Sequence, residues 1–134
     1  MIKSSNKGKL LSEVVAHSLS ITSISLSRNG NVLLTSGRDN VHNLFDMRTI
    51  EVCGTLRASG NRVASNWSRL CISADDSYVA AGSADGSVYV WSISQAKIVS
   101  TLKEHTSFVL CCSWSGLGKP LATVDRNGTI CTWT

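Results

Sequence analysis

The sequence has a single proline, no C-x-x-C pair, no G-x-x-x-x-G-K-[ST] loop and no long apolar run. Each absence removes a class of protein. A helix crossing a bilayer needs about 20 successive apolar residues, and no stretch supplies them. Without C-x-x-C spacing, neither a zinc knuckle nor a dithiol redox motif is written in the chain. Without the glycine-rich loop there is no phosphate cradle of that kind. The cysteines are Cys53, Cys71, Cys111, Cys112 and Cys131. Their odd number argues against a complete disulfide framework, and the neighbours Cys111 and Cys112, if in a strand, point to opposite faces and bridge poorly. They read as free thiols in a reducing compartment. No segment sustains a 3.6-residue apolar period, so essentially no helix is expected.

Charge is also scarce: 16% of residues are charged, with a net charge of +4. Lys3, Lys7 and Lys9 open the chain, and from residue 10 onward ten basic residues face nine acidic ones. Residues 1–8 read as a basic, disordered leader. The leader lacks the apolar core of a secretory signal, so the expected location is the cytoplasm. A near-neutral body gives no basic stripe for nucleic acid.

What is present is a repeat. Ser27, Ser73 and Ser115 each close a short, largely apolar run. Twelve residues after each comes Asp39, Asp85 or Asn127, and six residues later Phe45, Trp91 or Trp133. The units are offset by 46 residues and then 42, the extra four falling near Ala58-Ser59-Gly60-Asn61-Arg62. Each unit reads strand, turn, strand, turn, strand. The best-formed copy, Tyr78 to Trp91, carries Asp85-Gly86 between two Val-, Tyr- and Ala-rich runs. Such a dipeptide signals a hairpin, expected here as a type I′ turn with positive φ at both central residues. Fourth strands follow at Glu51 to Leu56 and at Lys97 to Leu102, and a similar segment, 9–15, precedes the first unit. Pro120 stands at a strand entrance, where a missing N–H does least harm. Four-stranded units at this period mark a β-propeller: each blade leaves faces that only a neighbouring blade can bury.

Chemistry-bearing clusters are weak. A Cys–His pair from His105 with Cys111 or Cys112 has no supporting spacing. His17, His42, His105 and the cysteines lack ligand spacing for a metal. The chain therefore reads as a non-enzyme with no cofactor and no metal. Arg57, Arg62 and Arg69 beside Trp67 form the one basic and aromatic cluster, read as a loop anchor or a protein contact rather than a nucleic-acid site. The connection from Arg57 to Trp67 departs most from the repeat, and loops on a rigid frame carry recognition.

Ser83 to Trp91 resembles the WD repeat, in which an Asp-containing hairpin leads to a strand ending Trp-Asp; the pair here is Phe45-Asp46, Trp91-Ser92 and Trp133-Thr134. The Gly-His that often opens a WD repeat stands as Ala16-His17 and Glu104-His105. The resemblance implies a buried network of His, Ser or Thr, turn Asp and Trp. Its matching residues are His17, Thr35, Asp39 and Phe45 in the first unit and His105, Thr123, Asn127 and Trp133 in the third. In the second unit only Asp85 and Trp91 remain, and none of the three networks is expected to be complete. Within the WD proteins, Ser65-Asn66-Trp67-Ser68-Arg69, Ser77 to Ser83, Arg38-Asp39-Asn40 and Phe45 to Thr49 resemble the last propeller blades of autophagy-related protein 16-like proteins.

That likeness implies an all-β WD40-type propeller fragment of about three four-stranded antiparallel blades, over residues 19–57, 63–103 and 107–134, preceded by an outer strand 9–15. The ring is expected not to close, because WD propellers usually have about seven blades. The implied function is a non-catalytic scaffold in autophagosome assembly, binding other proteins through its rims. It implies peripheral association with autophagic membranes at the phagophore assembly site, through a complex that promotes lipid conjugation of a ubiquitin-like protein. The segment that binds the autophagy-related 5 subunit and the coiled coil are absent from this sequence, so direct binding of that subunit is not expected. The alternatives are a WD-repeat adaptor in another pathway, such as a ubiquitin-ligase substrate receptor, or a truncated gene product without function. Open blade faces and a bare edge predict self-association.

Overall fold

A computed structural model describes residues 8–63, 65 and 68–134. Three antiparallel sheets follow one another along the chain. Blade 1 contains β1 (Ile21–Leu26), β2 (Val32–Gly37), β3 (His42–Asp46) and β4 (Glu51–Leu56). Blade 2 contains β5 (Leu70–Ile72), β6 (Tyr78–Gly82), β7 (Ser87–Ser92) and β8 (Lys97–Lys103). Blade 3 contains β9 (Val109–Trp114), β10 (Leu121–Asp125) and β11 (Ile130–Trp133). In each blade consecutive strands pair, and no helix occurs among the described residues.

The strand period of two decides what each blade buries. On β7, Tyr89 and Trp91 turn towards blade 1 and join Leu34, Leu44, Leu56 and Val79. Val88 and Val90 turn the other way and join Val109, Cys112 and Leu121 of blade 3. Blade 2 is thus covered on both faces, which explains why every residue of β7 is buried. Gly82 lets blades 2 and 3 meet closely: a Cβ there would lie 2.6 Å from the Val109 carbonyl oxygen.

The repeat is carried by identical turns. The Ser27 amide donates to Val32 O, the Ser73 amide to Tyr78 O and the Ser115 amide to Pro120 O. Ser27 and Ser73 also donate their hydroxyls to Asn29 and Asp75 two residues on. Across the first blade boundary, the amides of Arg28 and Asn29 donate to the Asp76 carboxylate at 2.8 and 3.1 Å.

Two expectations are corrected. The Asp85-Gly86 hairpin is not type I′: positive φ occurs at Gly86 and not at Asp85. The Gly86 amide donates to Ser83 O, and the Ser83 amide to Ser87 O, so one left-handed residue closes a three-residue loop. Asn40 and Gly128 hold the same left-handed place in the other blades. The expected outer strand 9–15 is irregular and mostly exposed. An outer strand forms on a third strand, and no third strand among the described residues lies beside this segment.

Candidate functional site

Of the sequence-predicted network residues, Asp39, Asp85 and Asn127 lie in the loops joining second to third strands, Thr35 and Thr123 lie on second strands, and Phe45, Trp91 and Trp133 lie on third strands. In blade 1, His17 Nδ1 lies 3.0 Å from Asp39 Oδ1 and Nε2 lies 2.8 Å from Thr35 Oγ1. A carboxylate can only accept, so Nδ1–H donates to it. Burial raises the Asp39 pKa, but the bonds from His17 and the Ser18 amide outweigh it and hold the carboxyl below its usual range. Phe45 is buried and offers no N–H to the group.

Blade 3 corrects the sequence reading. The carboxylate on His105 comes from Asp125, not from an amide at Asn127: Nδ1 to Asp125 Oδ2 is 2.9 Å. His105 Nε2 lies 2.7 Å from Thr123 Oγ1, and the Trp133 indole N–H donates to that same oxygen at 2.9 Å. All four parts are present, so this network is complete. The bond from His105 is the main cause of a lowered Asp125 pKa. Asn127 only donates its amide to Asp125 Oδ1 at the turn. The two blades reach one arrangement from different positions. Gly37 occupies the repeat place of Asp125, and a Cβ on it would lie 2.7 Å from Asp39 Oδ1. The carboxylate stands either at the strand end or at the turn.

Blade 2 has Val63 in place of the histidine, and its polar group is rebuilt from the long connection. Asp85 Oδ2 accepts from the Tyr89 hydroxyl at 2.8 Å, and Oδ1 accepts from the Ser87 amide at 2.9 Å. Burial raises its pKa, but these bonds prevail and leave it lowered. Ser83 Oγ accepts from the Arg62 amide and donates to Gly60 O. Trp91 is fully buried, and its indole N–H donates to Arg57 O at 3.1 Å.

His42 is fully buried at the junction of blades 1 and 2. Its ring meets Trp91 edge-on, with centroids 5.1 Å apart. Ser36 Oγ lies 2.9 Å from Nδ1, and the Asn61 amide nitrogen donates to Nε2 at 2.7 Å. Asn61 is itself fully buried. The connection thus sends Asn61 inward as a peg. Burial drives the His42 pKa from 6.5 to about 4.

The arginines of the same connection point the other way. Arg57, Arg62 and Arg69 are exposed, as are Arg38 and Arg126 on the neighbouring loops. Arg38 donates to Val63 O, Arg62 to Ser59 O and Asn61 O, and Arg69 to Thr22 O. Arg126 stacks over Phe108 at 5.5 Å. Five of the seven arginines therefore stand on one rim. Trp67 and Asn66 lie outside the described residues.

The Cys–His reading is also relocated. Cys131, not Cys111 or Cys112, comes near His105, with its sulfur 3.9 Å from Nδ1. Cys112 instead meets Cys71 across blades 2 and 3 at 3.4 Å; that bond and burial push its thiol pKa well up. Among the described residues no group of three or more His, Cys, Asp or Glu could hold a metal ion. No described helix is long and apolar enough to cross a membrane.

Three stacked antiparallel blades with a His–Asp–Thr group at the rim define a WD-repeat protein. The sequence matches the family described as WD domain, G-beta repeat, over residues 8–46, 52–92 and 96–134, and the chain belongs to that family. It is 76% identical to Autophagy-related protein 16 of Arabidopsis thaliana over 95% of this chain and 25% of that protein. It is 33% identical to Protein Atg16l2 of Homo sapiens over 84% of this chain and 18% of that protein. A more distant likeness, 30% identity over 90% of the chain and 23% of the relative, is to the WD repeat-containing protein WDS homolog of Arabidopsis thaliana. The chain spans about a quarter or less of the length of these curated relatives.

Proposed function

We propose that this chain is a non-catalytic recognition scaffold in autophagosome assembly, cytoplasmic and drawn to the forming autophagosome by a protein partner. The observation that carries the reading is the 76% identity to Autophagy-related protein 16 over nearly the whole chain. The geometry supports a binding role: the histidines and rim aspartates are tied into internal bonds, which leaves the loops rigid and the arginines outward. We place the partner contact on the arginine rim, with Arg57 and Arg62 at its centre and Arg38, Arg69 and Arg126 around them. Arg38 and Arg62 are held by backbone carbonyls, so their positive charge is positioned without being neutralised. Arginine's planar fork suits carboxylates, and the partner surface should be acidic. Trp67 belongs to the same connection and is proposed as its aromatic anchor.

The test is a fluorescently tagged chain in starved plant cells. The reading expects puncta that coincide with autophagic membranes. Arg57→Glu with Arg62→Glu should abolish them while the melting temperature stays within a few degrees. Diffuse signal from the unaltered chain, or puncta that survive the charge reversal, would contradict it.

A further inference from the structure

Two of the free thiols meet at the boundary of blades 2 and 3. Cys71 lies in the middle of β5 and Cys112 lies in β9. Their sulfurs are 3.4 Å apart, with Cys71 donating its S–H to the Cys112 sulfur. Cys112 points its own S–H at Ala80 O, 3.1 Å away on β6. The backbones are tied beside them: the Arg69 amide donates to Leu110 O at 2.8 Å across the same boundary. Cys71 is half-buried, whereas Cys112 is buried in the cluster that holds Val88, Val90 and Val109.

The repeat does not demand sulfur at these places. Cys71 stands two residues before Ser73, and Cys112 stands three before Ser115. The matching places at the boundary of blades 1 and 2 hold Ser25, two before Ser27, and Leu70, three before Ser73. A hydroxyl and an aliphatic chain serve there, so packing alone does not call for two thiols at the second boundary. Nor does the pair belong to a metal site: among the described residues, no group of three or more His, Cys, Asp or Glu forms. Cys111, next to Cys112 in the strand, turns to the opposite face of β9.

We propose that Cys71 and Cys112 form a reversible disulfide when a hydroperoxide reaches the chain, so that oxidation bolts blade 3 to blade 2. A disulfide holds its sulfurs about 2.05 Å apart, and the swing of a sulfur about its Cα–Cβ bond covers the remaining gap. The half-buried Cys71 is the point of entry. With hydrogen peroxide, its sulfur attacks the O–O bond and becomes a sulfenic acid, and its proton leaves with the departing hydroxide as water. Cys112 then attacks the Cys71 sulfur. The S–O bond breaks, and the hydroxide leaves with the Cys112 proton as a second water. Two electrons pass from the two thiols to the peroxide, and both peroxide oxygens end as water. The bond from Cys71 and burial push the Cys112 thiol well up, which suits it to the second step rather than the first.

This inference does not depend on the arginine rim, and its test reads covalent linkage and stability alone. The reduced full chain is treated with hydrogen peroxide, its remaining thiols are alkylated, and it is digested without reductant for mass spectrometry. A linked pair of peptides carrying Cys71 and Cys112, formed within single chains, should dominate, and dithiothreitol should remove it. The bridge closes a span of 41 residues, so the oxidised chain should melt roughly 10 °C above the reduced one. Cys71→Ser puts the residue type of Ser25 at the second boundary. It should lose both the link and the rise while the reduced chain melts as before. Cys111→Ser should keep both. Linkage of Cys71 to Cys111 in place of Cys112, or bridges between chains, would overturn the proposal. So would Cys71 driven to a sulfinic acid with Cys112 still alkylated, or an oxidised chain that melts no higher than the reduced one.

Discussion

At the scale of single residues, the aspartates, histidines and arginines of the rim divide the work. Asp39 and Asp125 are committed to His17 and His105, so they stabilise blades and are not free to bind. Asp125→Ala should lower the melting temperature clearly more than Asn127→Ala, because only the first leaves His105 Nδ1 without its acceptor. Thermal melts of the two variants side by side decide this. His42 supplies a pH dependence. Its folded pKa is about 4 against 6.5 for an ordinary imidazole. Between those values the unfolded chain binds more protons, so stability is full above pH 6.5 and falls as pH drops towards 4. The loss is about 3 kcal/mol. The carboxylates of Asp39, Asp85 and Asp125 are all lowered, so their contribution is present above the ordinary carboxylate value and is lost as pH falls through it towards the folded one, at the acid end of that window and below. His42→Gln should flatten stability against pH between 4 and 6.5 in denaturant titrations; an unchanged slope would clear His42 of the role.

At the scale of strands and loops, contacts across blade boundaries matter as much as those within sheets. The long connection after β4 works in both directions: Asn61 plugs the first boundary and the arginines face out. Gly82 governs the second. Gly82→Ala would drive a Cβ into Val109 and its carbonyl and should destabilise by about 1–3 kcal/mol through overpacking. Faster hydrogen exchange in β9 than in β2 of that variant would place the damage at the boundary. The strand spans were legible because Ser27, Ser73 and Ser115 close identical turns, and period-two alternation marks the core. Three details were not legible. Counting from the serines leads to Asn127, while the bonded carboxylate enters from Asp125, two residues earlier and on the strand. The Asp-Gly signal fixes a left-handed residue at Gly86 but not how many residues the loop holds. Asn61 lies in the one stretch that breaks the repeat, so its bond to His42 had no periodic counterpart to reveal it.

At the scale of the molecule, three blades share two cores, and blade 2 lies between both. Its central strand β7 is buried throughout, so the folding of blade 2 is coupled to its neighbours on either side. This coupling is what makes the chain one WD stack rather than three independent hairpin units. Hydrogen exchange read by mass spectrometry tests it most directly. The account predicts that amides in β2, β6, β7 and β10 share one slow opening event and lose protection together with added denaturant, while residues 9–15, irregular and exposed, exchange at once. Protection confined to blade 2, with β2 and β10 opening independently, would contradict the coupled stack.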